Sequence, residues 1–265
     1  MGVIEAIKKG FGIASKGLGL IVVLFVFNVV SNLATLPFTP APGATAAPEA
    51  ALPLLVISLV FIIISIFVQG GSLGLIRDIV KEGSMKLAVM AQYGAKYFIR
   101  LLLLGAVILL LVVVIALAAG LLIAVTAPLN NAVVTAAAIV ISIGIAVVAA
   151  LYFFIPFILS PYAVVCDEIG VVDALKKSIA IGRTPFSRVF ALLALTVLLV
   201  LIALGVGFLV GLVIGLISAA LPMGAARILM VVVSSVVNSY LGVVATAAFM
   251  LYYLSKKESV PQGIK

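Results

Sequence analysis

Long apolar runs separated by short polar connectors dominate the chain, at 17–37, 53–76, 97–127, 132–160, 186–221 and 225–253. A helix that crosses a bilayer needs about 20 apolar residues. Each run therefore predicts one membrane-spanning helix, and together they predict an all-α fold of six spans. The fifth run would make more than about 50 Å of helix against a ~30 Å hydrocarbon core, so it is expected to tilt, break or project. Thr184 and Pro185 read as the N-cap and first residue of that helix. Pro156 and Pro161 are expected to kink or end the fourth span.

The connectors carry a second pattern. Residues 2–17, GVIEAIKKGFGIASKG, align without gaps on residues 170–185, GVVDALKKSIAIGRTP, with Glu5 over Asp173, Ala6 over Ala174, and Lys8 and Lys9 over Lys176 and Lys177. In each copy the apolar side chains (Ile4, Ile7 and Phe11; Val172, Leu175 and Ile179) fall on one helical face and the charged ones on the other. A short basic amphipathic helix of this kind is expected to lie in the plane of the membrane surface. A weaker third copy at 83–100, GSMKLAVMAQYGAKYFIR, would make the chain three repeats, at about 2–76, 83–160 and 170–253. Without it there are two, since basic connectors also arise in any multi-span protein. Either way the 265 residues read as a single integral membrane domain ending in a polar tail at 254–265.

Composition agrees and narrows the chemistry. The chain is 66% hydrophobic and 9% charged, with mean hydropathy +1.49, which excludes an ordinary soluble domain. Of the 16 Lys and Arg, all but Arg227 fall before the first span, after the second and fourth, or at the C-terminal end. The positive-inside rule then places both termini in the cytoplasm of a multi-pass cell-membrane protein. The opposite side carries three connectors, of which only 38–52, FTPAPGATAAPEAAL, is long. Ala44, Thr45 and Ala46 resemble a signal-peptide exit, but the preceding apolar run is longer than the usual 7 to 15 residues, so the first span reads as a retained helix. The net charge of +8 suits anionic lipid headgroups. No basic domain with readout elements exists, so nucleic acid is not an expected partner.

The chain has no His and a single Cys, Cys166. No metal site, cofactor motif, activated nucleophile or acid–base pair can be assembled from its residues. No ionisable group sits near the centre of a span, which disfavours a proton-driven mechanism. Asp167 and Glu168, just past the fourth span, read as a solvated pair.

Neutral polar residues do occur at depth. They are Asn28, Ser31 and Asn32 in the first span, Gln69 at the end of the second, and Ser234, Asn238 and Ser239 in the sixth. Asn in hydrocarbon must find a hydrogen-bond partner, so spans one and six are expected to pack together with Asn28 and Asn238 facing inward. Gly207, Gly211 and Gly215 form a four-residue-spaced stripe on the fifth span. Such a stripe permits close helix approach, within the chain or between copies in a homo-oligomer. Gly70, Gly71 and Gly74 offer the same at the end of the second span.

Residues 158–195, ILSPYAVVCDEIGVVDALKKSIAIGRTPFSRVFALLAL, place Pro161, Val164, Asp167 or Glu168, Ala174, Leu175, Lys176, Ser178 and Arg183 in order. This resembles a signature of six-span prokaryotic membrane proteins that include the membrane domain attached to some glycerophosphoryl diester phosphodiesterases. An aromatic residue often follows the Ser in that family, where this chain has Ile179. The resemblance implies fold and membrane location. Phosphodiester hydrolysis does not carry over, because the catalytic domain is absent and the chain has no His and few carboxylates for a metal site.

Three functional readings follow. The first is a non-enzymatic protein that binds or organises lipid or a membrane partner through its basic face, with Lys8, Lys9, Lys176, Lys177, Arg183 and Arg188 as the contact residues. The second is a channel or permease for a small or apolar solute, which requires a cavity between helices. The third is a membrane lipid enzyme.

Overall fold

The structure, a computed structural model, describes residues 1–38, 48–126, 132–149, 157–183, 187–218 and 222–257. Among them there is helix and no strand. The helices are α1 (Val3–Lys16), α2 (Leu18–Thr35), α3 (Pro48–Glu82), α4 (Met90–Thr126), α5 (Ala132–Ala149), α6 (Ser160–Cys166), α7 (Val171–Arg183), α8 (Ser187–Ser218) and α9 (Met223–Lys257). Short 3-10 turns follow α2 and precede α4. Most of the connector 38–52, the 128–131 connector, Pro156, Thr184, Pro185 and the tail beyond 257 lie outside the described residues.

Five stretches are long and apolar enough to cross a membrane: Leu18–Phe38, Ala51–Glu82, Leu87–Thr126, Leu193–Ile217 and Gly224–Lys257. Their large side chains point outward along much of their length, as at Leu109, Leu117, Leu204 and Phe208. So continuous an apolar surface is compatible with hydrocarbon and not with water, and the chain is a membrane protein. The predicted fourth span is represented by α5 and by α6, where Pro161 occupies the first turn. The fifth run forms one unbroken helix, α8. At the predicted middle copy there is no separate helix: α3 ends at Glu82 and residues 90–100 are the first turns of α4. Gly83 takes φ +72°, the left-handed conformation that closes a helix, and its N–H donates to the Ile79 carbonyl at 3.0 Å.

The helices fall into two compact units. One comprises Met1–Phe98 and Ala194–Ser255. In it the chain turns sharply at Gly17. A continuous helix would hold Phe11 and Asn28 about 25 Å apart, yet Phe11 meets the ring of Tyr240 at 6.1 Å and Asn28 bonds the adjacent Ser239. Both α1 and α2 thus lean on the same level of α9. The face of α1 that goes in is made of small residues, Ala6, Gly10 and Ala14 with Ile7, while Ile4 stays out. Ile4, Ile7 and Phe11 share one stripe, as their spacing requires, but the stripe is turned partly outward, with Ile7 buried, Phe11 half-buried and Ile4 exposed, because small side chains let two helix axes approach and so decide which side packs. At Gly10 a Cβ would stand 2.8 Å from the Val244 carbonyl oxygen and 3.4 Å from the Ala248 Cβ. Close approach also joins α3 to α4. Gly71 lies against Met90, Gly74 against Tyr93, and Gly94 against the ring of Phe67.

That second contact is fastened by a polar cluster. Arg77 Nη1 donates to the Tyr97 hydroxyl at 2.8 Å, Tyr93 donates to Asp78 Oδ2 at 2.7 Å, and the Arg77 guanidinium lies over the Tyr93 ring at 5.1 Å. Arg77 and Asp78 also form an ion pair at 3.3 Å. Tyr93→Phe keeps the ring on Arg77 and deletes one bond to a charged acceptor. It is expected to lower stability by about 1.5 kcal/mol, read as a lower midpoint of thermal unfolding in detergent; an unchanged midpoint would show that the cluster holds nothing.

The other unit comprises Ile99–Leu193 and Lys256–Lys265. Its best-defined packing is α6 against α7: residues 162–166 are buried on one side, and Ala174, Ser178 and Ile181 on the other. The turn between the two helices places Glu168 at φ +57°. The Glu168 backbone carbonyl accepts from Arg100 Nη1 at 2.7 Å.

Candidate functional site

A cavity of about 200 Å³ opens among α2, α3 and α9. From α2 come Leu24, Phe27 and Asn28; from α3, Ser65, Val68, Gln69, Ser72 and Ile76; from α9, Asn238, Ser239, Gly242, Val243 and Thr246. Asn28 Nδ2 donates to Ser239 Oγ at 2.8 Å, and Ser239 Oγ donates in turn to the Ser235 carbonyl at 2.7 Å. The first and last long helices are therefore joined through Asn28 and Ser239. Asn238 is exposed and lines the same cavity as Asn28, while Ser235 and Ser239 are buried on α9.

Of the polar residues singled out in the sequence, Asn28, Gln69, Asn238 and Ser239 share this wall. Others bond within their own helices: Asn32 donates to the Asn28 carbonyl at 2.8 Å and Ser234 to the Val231 carbonyl at 3.1 Å. Ser31 is half-buried and its carbonyl accepts from Thr35. The reading missed Ser65, Ser72 and Thr246. Their signal was present as spacing, because Ser65, Gln69 and Ser72 recur at one-turn and two-turn intervals, as do Asn238, Gly242 and Thr246. The lining contains no ionisable side chain among the described residues.

The two helices whose sequences align, α1 and α7, present matching surfaces. Each opens on a glycine carbonyl, Gly2 accepting from the Ala6 N–H at 3.0 Å and Gly170 from the Ala174 N–H at 2.9 Å. Ala6 and Ala174 are fully buried, and Gly10 and Ser178 are buried at the next equivalent position. Outward, Ile4 is 66% exposed and Val172, its counterpart, 62%. Lys8 and Lys176 follow one turn later, both exposed. Lys9 pairs with Glu5 at 2.9 Å, and its ammonium holds the Glu5 carboxyl below the usual carboxylate range. The side chains of Arg183 and Arg188 lie outside the described residues.

The Asp167–Glu168 pair is not solvated as expected. Glu168 is exposed, but the Asp167 side chain is only 5% exposed and accepts ion pairs from Lys177 at 2.5 Å and from Lys257. A carboxylate can be buried there because two ammonium groups neutralise it. Lys177, expected on a lipid-facing surface, is committed to this contact. The glycine stripe of α8 differs too. Among the described residues nothing outside the helix comes within 4 Å of where a Cβ would stand at Gly207, Gly211 or Gly215. Close packing within the chain is found instead at Gly10, Gly71, Gly74 and Gly94. Cys166 is buried, and among the described residues no three Cys, Asp or Glu gather closely enough to hold a metal ion.

With helix and no strand among its described residues, five helices able to cross a bilayer and a cavity among α2, α3 and α9, the chain is an α-helical membrane protein. It belongs to the family described as Domain of unknown function (DUF7847), whose model matches residues 1–255. No curated protein and no solved structure matches it.

Proposed function

We propose that this is a non-enzymatic, six-span protein of the cell membrane, with both termini cytoplasmic, that gathers anionic lipid headgroups against its basic face. The observation that carries the reading is the matched outer surface of α1 and α7, where exposed Ile4 and Val172 each stand one turn from an exposed lysine, Lys8 or Lys176. An apolar side chain beside a lysine is what an interfacial helix offers a bilayer: the first enters the acyl boundary and the second reaches the phosphates. The resemblance to the phosphodiesterase-associated membrane domains and the length of α5, about 27 Å, favour its counting as the sixth span. An even number of spans keeps the termini on one side, and the lysines fix that side. The equivalent burial of Ala6 with Ala174 and of Gly10 with Ser178 supports a duplication of these two elements.

The test is lipid enrichment around the full chain in nanodiscs of mixed anionic and choline lipid, read by native mass spectrometry. A lysine near an anionic surface contributes about 1 kcal/mol, so Lys8→Glu with Lys176→Glu is expected to cut the anionic preference roughly tenfold or more at low salt. Equal enrichment in wild type and variant would overturn the reading. The cavity among α2, α3 and α9 favours a second reading, a permease for a small solute.

A further inference from the structure

The cavity among α2, α3 and α9 has a one-sided hydrogen-bonding character. Ser65 donates to the Ile62 carbonyl at 2.7 Å, Ser72 to the Val68 carbonyl at 2.7 Å, Ser239 to the Ser235 carbonyl at 2.7 Å and Thr246 to the Gly242 carbonyl at 2.8 Å. A hydroxyl has one hydrogen and two lone pairs. With the hydrogen engaged by its own helix, each of these four groups can act only as an acceptor, and Ser239 already accepts from Asn28. The Gln69 and Asn238 amides, exposed on the wall and without a hydrogen-bond partner among the described residues, supply both donors and acceptors. Asn28 lies ten residues beyond Leu18, which is about 15 Å along the helix and half of a ~30 Å hydrocarbon core. An amide at that depth is costly unless something hydrogen-bonds it.

We infer that this cavity binds a small uncharged polyhydroxyl group of about glycerol size, supplied either by a free solute or by the headgroup of a neutral lipid. The absence of charge on the wall excludes ions. A cation would meet neutral dipoles and no carboxylate, and a phosphate or carboxylate would meet neither a cation nor free hydroxyl hydrogens. A hydroxyl both gives and takes a hydrogen bond, so a polyol donates to the hydroxyl oxygens, accepts from Gln69 and Asn238, and lays its carbon chain against Leu24, Phe27 and Val243. The volume of about 200 Å³ holds roughly six or seven water-sized groups at ~30 Å³ each, which matches a three-carbon triol. The site is independent of the basic surface, because no lysine lines it.

Two arms identify the source. In the first, the full chain in choline-lipid vesicles is given a glycerol gradient and swelling is followed by light scattering. In the second, retention of a monoacylglycerol by the detergent-purified chain is measured by native mass spectrometry beside the methyl ester of the same fatty acid, which lacks the diol. Gln69→Leu/Asn238→Leu alters only exposed side chains and is expected to reduce the responding arm at least fivefold. Ser65→Ala/Thr246→Val gives the same reading should the first pair fail to fold. A response in the glycerol arm assigns a solute, and a response confined to the second arm assigns a headgroup. No response above empty vesicles and above the ester, or a response that the folded variants leave unchanged, overturns the inference.

Discussion

Asp167→Ala is expected to destabilise the protein by about 2 to 3 kcal/mol. The carboxylate is 5% exposed and neutralised by Lys177 and Lys257, which are 32% and 41% exposed. Removing one partner of a fully buried pair costs about 3 to 5 kcal/mol, and water reaching both lysines lowers that figure. What remains is two ammonium groups held near each other with nothing between them. For a chain of this size the loss corresponds to a midpoint about 5 to 10 °C lower, measured by thermal unfolding in detergent. A second readout follows from position. Lys257 is the last residue of α9, so loss of its partner is expected to speed tryptic cleavage at Lys256 and Lys257. Asp173→Ala removes an exposed carboxylate on α7 and is expected to stay within about 0.5 kcal/mol of wild type. Replacing the trio together, as Asp167→Leu/Lys177→Met/Lys257→Met, is expected to restore much of the stability, because no charge is then left unpaired. Equal midpoints for Asp167→Ala and Asp173→Ala would show that the buried trio does not hold the fold.

That trio marks where sequence reading stops. Asp167 and Lys257 are 90 residues apart, and nothing in either neighbourhood announces the other, so a carboxylate pair at the end of a span reads by default as solvated. Five of the six expected spans were legible, because hydrocarbon demands long apolar runs and tolerates little else. The likeness of α1 to α7 was legible as text, but the inward face of α1 was not. Counting large apolar residues selected Ile4, Ile7 and Phe11, whereas the buried positions are Ala6, Ile7, Gly10 and Ala14. The cavity was half legible. Asn28, Gln69, Asn238 and Ser239 were visible as polar residues at depth, while Ser65, Ser72 and Thr246 were masked by the ordinariness of hydroxyls in membrane helices. Their grouping depends on three helices meeting, which no single run encodes.

Glycine spacing shows the same limit in a form that can be measured. The stripe Gly207, Gly211 and Gly215 has the more regular sequence pattern, yet the closest approach in the chain is at glycines of less regular spacing. A methyl at Gly10 would stand 2.8 Å from the backbone oxygen of Val244. A backbone carbonyl on a packed helix cannot swing aside as a side-chain tip can, so α1 must move away from α9 as a whole. Gly10→Ala is therefore expected to cost about 2 to 3 kcal/mol, the upper part of the usual range for overpacking. Gly12 is two residues further along the same helix, exposed, with nothing within 4 Å of its Cβ position. Gly12→Ala is expected to be neutral or to stabilise by up to about 1 kcal/mol through helix propensity alone, and Gly211→Ala to behave likewise. Thermal unfolding of the three alanine variants in one detergent decides the matter. A lowered midpoint for Gly10→Ala alone confirms that α1 is clamped to α9 through a side-chain-free contact. Matching midpoints for Gly10→Ala and Gly12→Ala would mean that α1 rests loosely on the bundle, and the small inner face of α1 would then have no packing role.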